Sequence, residues 1–384
     1  MVCNDGDYFL RHRLSVVTYL SSIGADVRVI AGGRAIEASR IQGWKYTQVR
    51  IERFKFAPIS DLTLMVHTAR SIRDLRPDAI HLITLKPMIF SGIVAVASRL
   101  FHGFPKRILI TLPGLGRMMS RTKRPGERRY VVSTALTLLM SWILARFDSV
   151  HFTFETRHDF DFWAQRGIAN NDNSSVIDGA GVDPNLFYPS KAARNNSKIR
   201  VIFASRTLKS KGLNIFLQAA HQLRDHVGVE FLVAGVADDR DPDAIPSEFL
   251  AKLSDIHFLG HVEDMAPLLR ECDIVCLPTR YGEGVPRILI EAAATGLASI
   301  VSSHPGCLEA VEDGVTGRVL YGSSDIEMSR EATAAIMEYL ESPDVLKVHQ
   351  ENAYRHFQSR DFKQATIDAR FAELLGARSA PAAR

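Results

Sequence analysis

Short β-branched runs recur along the chain, and each gives way to a longer stretch with helical spacing. In the first half the runs are Val27-Arg28-Val29-Ile30, Ala79-Ile80-His81-Leu82-Ile83, Arg107-Ile108-Leu109-Ile110-Thr111 and Ser149-Val150-His151-Phe152. After a polar, turn-rich passage the rhythm restarts with Arg200-Val201-Ile202-Phe203-Ala204, Glu230-Phe231-Leu232-Val233-Ala234, His257-Phe258-Leu259, Asp273-Ile274-Val275-Cys276-Leu277 and Ser299-Ile300-Val301. Alternation of this kind predicts parallel sheets with crossover helices, here two doubly wound α/β domains. Apolar periodicity vanishes between Pro189 and Ser197, which sets expected domains of 1–188 and 189–384 with a ligand cleft between them. Thr366 to Leu375 has helical spacing and is expected to pack across that junction, ahead of an Ala-, Arg- and Pro-rich tail. Only Met1-Val2-Cys3 precede the turn Asn4-Asp5-Gly6-Asp7, so the first strand is either stunted or begins upstream.

Composition narrows the classes. With 384 residues, 46% hydrophobic and 23% charged, the chain is globular and exceeds the size of a single core. A formal charge of +4 gives no general nucleic-acid coat. Four scattered cysteines, Cys3, Cys272, Cys276 and Cys307, form neither a disulfide framework nor a zinc pattern and read as buried free thiols. Polar residues from Asn4 to Arg11 interrupt any signal-peptide core, so the expected location is the cytoplasm. The longest apolar stretch, Val131 to Phe147, is too short and too polar for a bilayer span and reads as a helix.

The most informative segment is Tyr281-Gly282-Glu283-Gly284-Val285-Pro286-Arg287-Ile288-Leu289-Ile290-Glu291, a loop entering a helix after an apolar strand. Pro286 suits the first helical turn, the glycines admit a ligand close to the backbone, and free amides with the helix dipole favour an anion. Glu283 stands at the loop mouth and Glu291 inside an otherwise apolar helix, where a carboxylate demands a partner. The plain alternative is a helix-start charge and a solvated helical residue. A second element follows the strand at Val201 to Ala204, where Ser205-Arg206-Thr207-Leu208-Lys209-Ser210-Lys211-Gly212 concentrates cations at a carboxyl strand end. Arg206 as a bidentate fork and Lys211 as a point charge fit a diphosphate, while Lys209 reads as solvated.

Together these elements resemble the retaining glycosyltransferases of family 4, which have the GT-B fold, two Rossmann-like domains facing across a cleft. The resemblance rests on the paired Glu283 and Glu291, on Arg206, Lys211 and Gly212, on Gly179-Ala180-Gly181-Val182-Asp183, on Gly306, and on Asp313-Gly314-Val315-Thr316-Gly317. It implies transfer of a hexose or N-acetylhexosamine from a nucleotide sugar, a UDP-sugar, to a glycan or polyprenyl-diphosphate-linked acceptor with retention. By the same resemblance Arg206 and Lys211 hold the donor diphosphate, Glu291 accepts the ribose hydroxyls, Glu283 contacts the sugar, and the amides at Gly284 and Val285 position both. Two fixed cations can take the charge of the leaving diphosphate, so no metal or other cofactor is expected. The Asp-x-Asp sequences Asp159-Phe160-Asp161 and Asp239-Arg240-Asp241 follow no apolar strand directly and read as metal-free.

The opening residues Asn4 to Leu14, with Lys86-Pro87 and Pro113-Gly114-Leu115-Gly116, look like members that build bacterial surface polysaccharides and lipid-linked glycans. That places His12 and Gly114 near the acceptor, with a helix-surface histidine as the alternative for His12. Several members carry a histidine where this chain has Leu112, so any role of that histidine is in doubt here. Arg117, Arg121, Lys123, Arg124, Arg128 and Arg129 lead into the helix from Val131 and read either as a contact to anionic lipid at the inner membrane face or as a solvated loop. Two other classes remain: a GT-B nucleotide-sugar epimerase, which would need further acid/base groups, and an inactive sugar-nucleotide-binding partner.

Overall fold

The computed structural model describes residues 1–33, 43–51, 57–114, 128–190, 198–237 and 241–377. The chain forms two compact units, one of residues 1–180 with 364–384 and one of residues 181–363.

The first unit holds a parallel sheet of β1 (Val2–Cys3), β2 (Val27–Ala31), β3 (Trp44–Gln48), β4 (Ala79–Ile83), β5 (Arg107–Leu112), β6 (Val150–Phe154) and β7 (Ser174–Val176). Their order is β3-β2-β1-β4-β5-β6-β7. Side-chain parity sorts its core into two faces. Ile80, Leu82, Ile108, Ile110 and Phe152 point to one face and pack with Leu64, Ala95, Leu144 and Trp163 of the helices α3 to α6 described next. Val27, Val29, Ile83 and Leu109 point to the other and meet Phe9, Val16, Val17, Ile367 and Phe371. The helices are α1 (Gly6–His12), α2 (Leu14–Ser22), α3 (Pro58–Leu75), α4 (Gly92–His102), α5 (Arg128–Leu144) and α6 (Arg157–Ala164), with a π-helical turn at Pro87–Ser91. Local chemistry starts them: the Asp5 side chain accepts from the Tyr8 amide at 2.7 Å to cap α1, and Thr156 accepts from the Asp159 amide at 3.0 Å to cap α6. The C-terminal helix, Gln364–Leu375, lies on the α1 and α2 face and completes this unit's core.

The second unit repeats the plan with β8 (Ile199–Ala204), β9 (Val229–Ala234), β10 (His257–Gly260), β11 (Ile274–Leu277), β12 (Ala298–Ser302) and β13 (Gly317–Leu320), ordered β10-β9-β8-β11-β12-β13. Its helices are α7 (Leu213–Gln222), α8 (Ser247–Leu250), α9 (Met265–Arg270), α10 (Arg287–Thr295), α11 (Pro305–Ala310), α12 (Asp325–Glu341) and α13 (Pro343–Ser359). The chain leaves β8 toward β9 on one side and later returns to place β11 on the other. The β8/β11 pair is therefore a topological switch point, where the loops at the carboxyl ends diverge and leave a crevice.

Every expected strand is present, and three more complete the sheets. β3, β7 and β13 are edge strands, short or half-exposed, such as Trp44-Lys45-Tyr46-Thr47-Gln48, so no apolar run announces them. Among the described residues no helix is long and apolar enough to cross a membrane.

Candidate functional site

The loops after β8 and β11 meet over the switch point of the second unit. After β8 the chain makes a 3₁₀ turn at Lys209–Lys211 and enters α7 through Gly212, at φ +82°. A β-carbon on Gly212 would come within 2.1 Å of the Pro278 carbonyl oxygen, so glycine is what lets the two loops touch. The Arg280 amide donates to the Ser210 carbonyl at 2.7 Å, and Ser302, at the end of β12, donates to the Thr279 carbonyl. Three neighbouring strand ends are thereby tied together.

On this platform the Lys211 ammonium pairs with Glu283 Oε2, and Thr279 Oγ1 donates to Glu283 Oε1 at 3.2 Å. The pair is shielded but still reached by solvent, the side chains being 8% and 18% exposed. Both cations lie against the Tyr281 ring, with Lys211 Nζ 5.1 Å and the Arg206 guanidinium carbon 5.7 Å from its centroid. Lys209 is exposed. Downstream, Gly284 and Val285 are buried, and Pro286 sits just outside α10 as its N-cap, one position earlier than the first-turn placement expected for it. No side chain caps α10, so its first amides are not taken up by a capping group. Gly306, opening α11, packs its α-carbon so tightly on the Gly284 carbonyl that a β-carbon would lie 1.9 Å from the oxygen.

Glu291 lies buried inside α10, and its partner is on the same helix: Arg287 Nε donates to its Oε1 at 2.8 Å. Burial raises the pKa of this carboxyl, and Arg287 opposes that shift. The structure thus joins Lys211 directly to Glu283, sets Arg206 and Lys211 against one ring, and leaves Glu291 on the adjoining helix. Thr279, Tyr281 and Ser302 were not singled out in the sequence; their types carry no motif, and only the convergence of strand ends marks them. Cys307 is a buried free thiol, as expected, and burial pushes its pKa up, with Glu283 adding to the rise and Lys211 and Ser302 opposing it.

In the first unit, His12 closes α1 with its ring stacked on Tyr8 at 4.4 Å, and Gly114 follows β5 at φ +110°. Lys86 pairs with the buried Asp61 at 2.7 Å. A second strand-end ion pair lies deeper: Arg13, fully buried, donates to Glu155 Oε1 at 3.0 Å just beyond β6. Phe371 of the C-terminal helix lies 4.9 Å from the guanidinium and also stacks on His81, which bonds Thr111 at 2.6 Å. Asp161 pairs with Arg157 at 3.1 Å, and the Asp159 amide serves the α6 cap. Among the described residues no group of three His, Cys, Asp or Glu side chains is disposed to hold a metal ion. Asp239 and Arg240 lie outside the described residues, as do Arg117, Arg121, Lys123 and Arg124, and the Arg128 and Arg129 side chains.

Solved structures with this architecture include Anabaena Alr3699/HepE in complex with UDP and glucose, with TM-score 0.73, 18% identity, and 98% of this chain and 99% of that one covered. Sucrose-phosphate synthase from Thermosynechococcus elongatus matches at TM-score 0.73 and 17% identity over 97% of each chain. The family described as Glycosyl transferases group 1 matches residues 198–340, and that described as Glycosyl transferase 4-like matches residues 2–152. The chain belongs to the GT-B glycosyltransferases. This glycosyltransferase is 27% identical over 287 residues to the N,N'-diacetylbacillosaminyl-diphospho-undecaprenol alpha-1,3-N-acetylgalactosaminyltransferase of Campylobacter jejuni, covering 72% of each chain. It is 25% identical to the "Putative colanic acid biosynthesis glycosyltransferase WcaL" of Escherichia coli over 227 residues, 56% of this chain and 55% of WcaL. The group 1 match spans β8 through most of α12 and so includes the whole Lys211–Glu283 platform.

Proposed function

We propose that this glycosyltransferase transfers a hexose or N-acetylhexosamine, with retention, from a UDP-sugar to a glycan or polyprenyl-diphosphate-linked acceptor in surface-polysaccharide synthesis. The observation that carries the reading is the Lys211–Glu283 pair beside Arg206 and Tyr281 at a switch point. Two cations on a rigid strand-end platform suit a diphosphate, and they stabilise the charge that grows on it as the glycosidic bond breaks. Glu283 is held by Lys211 and Thr279 with its carboxylate still reachable, which suits hydroxyl groups of the transferred sugar. The uncapped start of α10 with the amides at Gly284 and Val285 favours the phosphate side, and Glu291, one helix away, takes the ribose hydroxyls. No metal is required in this reading, because Arg206 and Lys211 supply the positive charge. Retention is assigned to front-face attack, in which the leaving phosphate receives the acceptor's proton, so no side chain is given the part of nucleophile.

The acceptor class draws support from the Campylobacter relative, whose name specifies a diphospho-undecaprenol-linked substrate, and from WcaL. His12 and Gly114, at the carboxyl edge of the first sheet, are assigned to the acceptor side. The test is a panel of nucleotide sugars with membrane-extracted acceptors, following nucleotide release and acceptor labelling. Acceptor-dependent release is expected. Release of epimerised free sugar, or binding without release, overturns the reading. Lys211→Ala should lower transfer about a hundred- to a thousandfold, and unchanged donor titrations in both Lys211→Ala and Glu291→Ala would refute the site.

A further inference from the structure

In the first unit the connections β3 to β4, β4 to β5 and β5 to β6 all advance the same way across the sheet. Right-handed crossovers then put α3, α4 and α5 on one face, and α4 packs against both of its neighbours. The inner sides of this helical layer supply the core residues Leu64, Ala95 and Leu144. Its outer side is apolar as well. Ile59 and Leu62 on α3 are 86% and 60% exposed, Leu100 and Phe101 on α4 are 66% and 82% exposed, and Leu139 and Trp142 project from α5. Scattered exposed hydrophobes need no explanation, but three adjacent helices showing them on one side do.

The charge of the same region is lopsided too. Residues 58–147, from the start of α3 to just past α5, contain fourteen Lys and Arg and four acids, Asp61, Asp74, Asp78 and Glu127. The other 294 residues carry thirty-three Lys and Arg against thirty-nine Asp and Glu. At the end of the layer the Arg146 guanidinium lies 4.0 Å from the Trp142 ring centroid, an aromatic with a cation beside it of the sort that settles at a lipid headgroup boundary.

We propose that the outer face of α3, α4 and α5 docks on the surface of a bilayer containing anionic lipids, with the apolar side chains in the headgroup and upper acyl region and the exposed Arg70, Arg73 and Arg146 near the phosphates. A second copy of the chain is the poorer occupant. An isologous dimer through this face would bring two strongly basic regions together, whereas an anionic surface complements both the charge and the apolar side chains. The surface belongs to the first unit and the donor platform to the second, and the proposal does not depend on the reading of that site.

The test is co-sedimentation of the full chain with phosphatidylcholine vesicles, with and without phosphatidylglycerol, at low and high salt. Binding is expected only with phosphatidylglycerol and should weaken as salt screens the phosphates. L100S/F101S, made at exposed positions and checked by its melting temperature, should lower the partition coefficient about tenfold or more. Tryptophan emission gives a readout in the unaltered protein: Trp44 and Trp163 are buried, so a blue shift on adding anionic vesicles reports Trp142 and should vanish in Trp142→Phe. Lys211→Ala should bind vesicles like the parent chain, which separates a failure here from a failure at the donor site. Equal binding to both vesicle types, equal binding by L100S/F101S, or a dimer lost in that variant without vesicle binding would each overturn the proposal.

Discussion

The Lys211–Glu283 pair of the second unit and the Arg13–Glu155 pair of the first both sit at carboxyl strand ends, and they differ in what covers them. Lys211 and Glu283 join the ends of β8 and β11 and remain open enough to exchange partners with a ligand, with Tyr281 alongside. Arg13 and Glu155 join the end of α1 to the end of β6 and are sealed under Phe371. Composition alone would class the two together. Burial separates them: a sealed pair fixes the register of two elements, and an open pair is available for chemistry.

The largest effect should come from breaking the sealed pair. Arg13→Ala removes a buried cation paired with Glu155 and should cost about 3–5 kcal/mol of stability, read as a lowered unfolding midpoint in urea. Lys211→Ala is the control, since its partner Glu283 keeps more contact with solvent and the stability loss should be clearly smaller, with the main loss falling on transfer; an equal stability loss there, or a silent Arg13→Ala, would break the comparison. Next comes pH. Burial, with Arg13 as the nearby cation, holds the His81 pKa well below the usual 6.5, so His81 is neutral in the folded state. The unfolded chain takes up a proton there as pH falls below 6.5 and the folded chain does not, so stability present above that value is lost on acidification. His81→Phe should remove up to about 1.4 kcal/mol per pH unit of that slope, measured by urea titrations from neutral to mildly acid pH. The smallest effect belongs to Tyr281→Leu. Loss of the ring that both cations lie against should weaken donor binding by a few-fold, in line with about 0.5–1 kcal/mol for a partly exposed contact, seen by calorimetric titration with UDP.

The open site was legible in the sequence because its parts follow strands that announce themselves. Val201 to Ala204 and Ile274 to Leu277 are interior strands with apolar runs, so the sequence alone puts the cations and the glycine-flanked Glu283 at one sheet edge. The Arg287 partner of Glu291 lies one helical turn away and was within reach of an i, i+4 reading. The sealed pair offered nothing comparable. Arg13 and Glu155 are 142 positions apart, neither stands in a motif, and the cover over them comes from the far end of the chain. The edge strands β3, β7 and β13 escaped for a related reason, since short or half-exposed strands need no long apolar run to hold their place.

The C-terminal helix that closes the first core has a consequence for biosynthesis. Residues 181–363 are contiguous, so that unit has its whole sequence before the chain is finished. The first unit is made first, yet Ile367, Phe371 and Ala372 of its core are translated after all of the second. During synthesis the earlier-made unit therefore waits with part of one sheet face, the part not covered by α1 and α2, open while the later one can fold, and a ribosome that stalls before Gln364 leaves that apolar patch for chaperones or proteases to recognise.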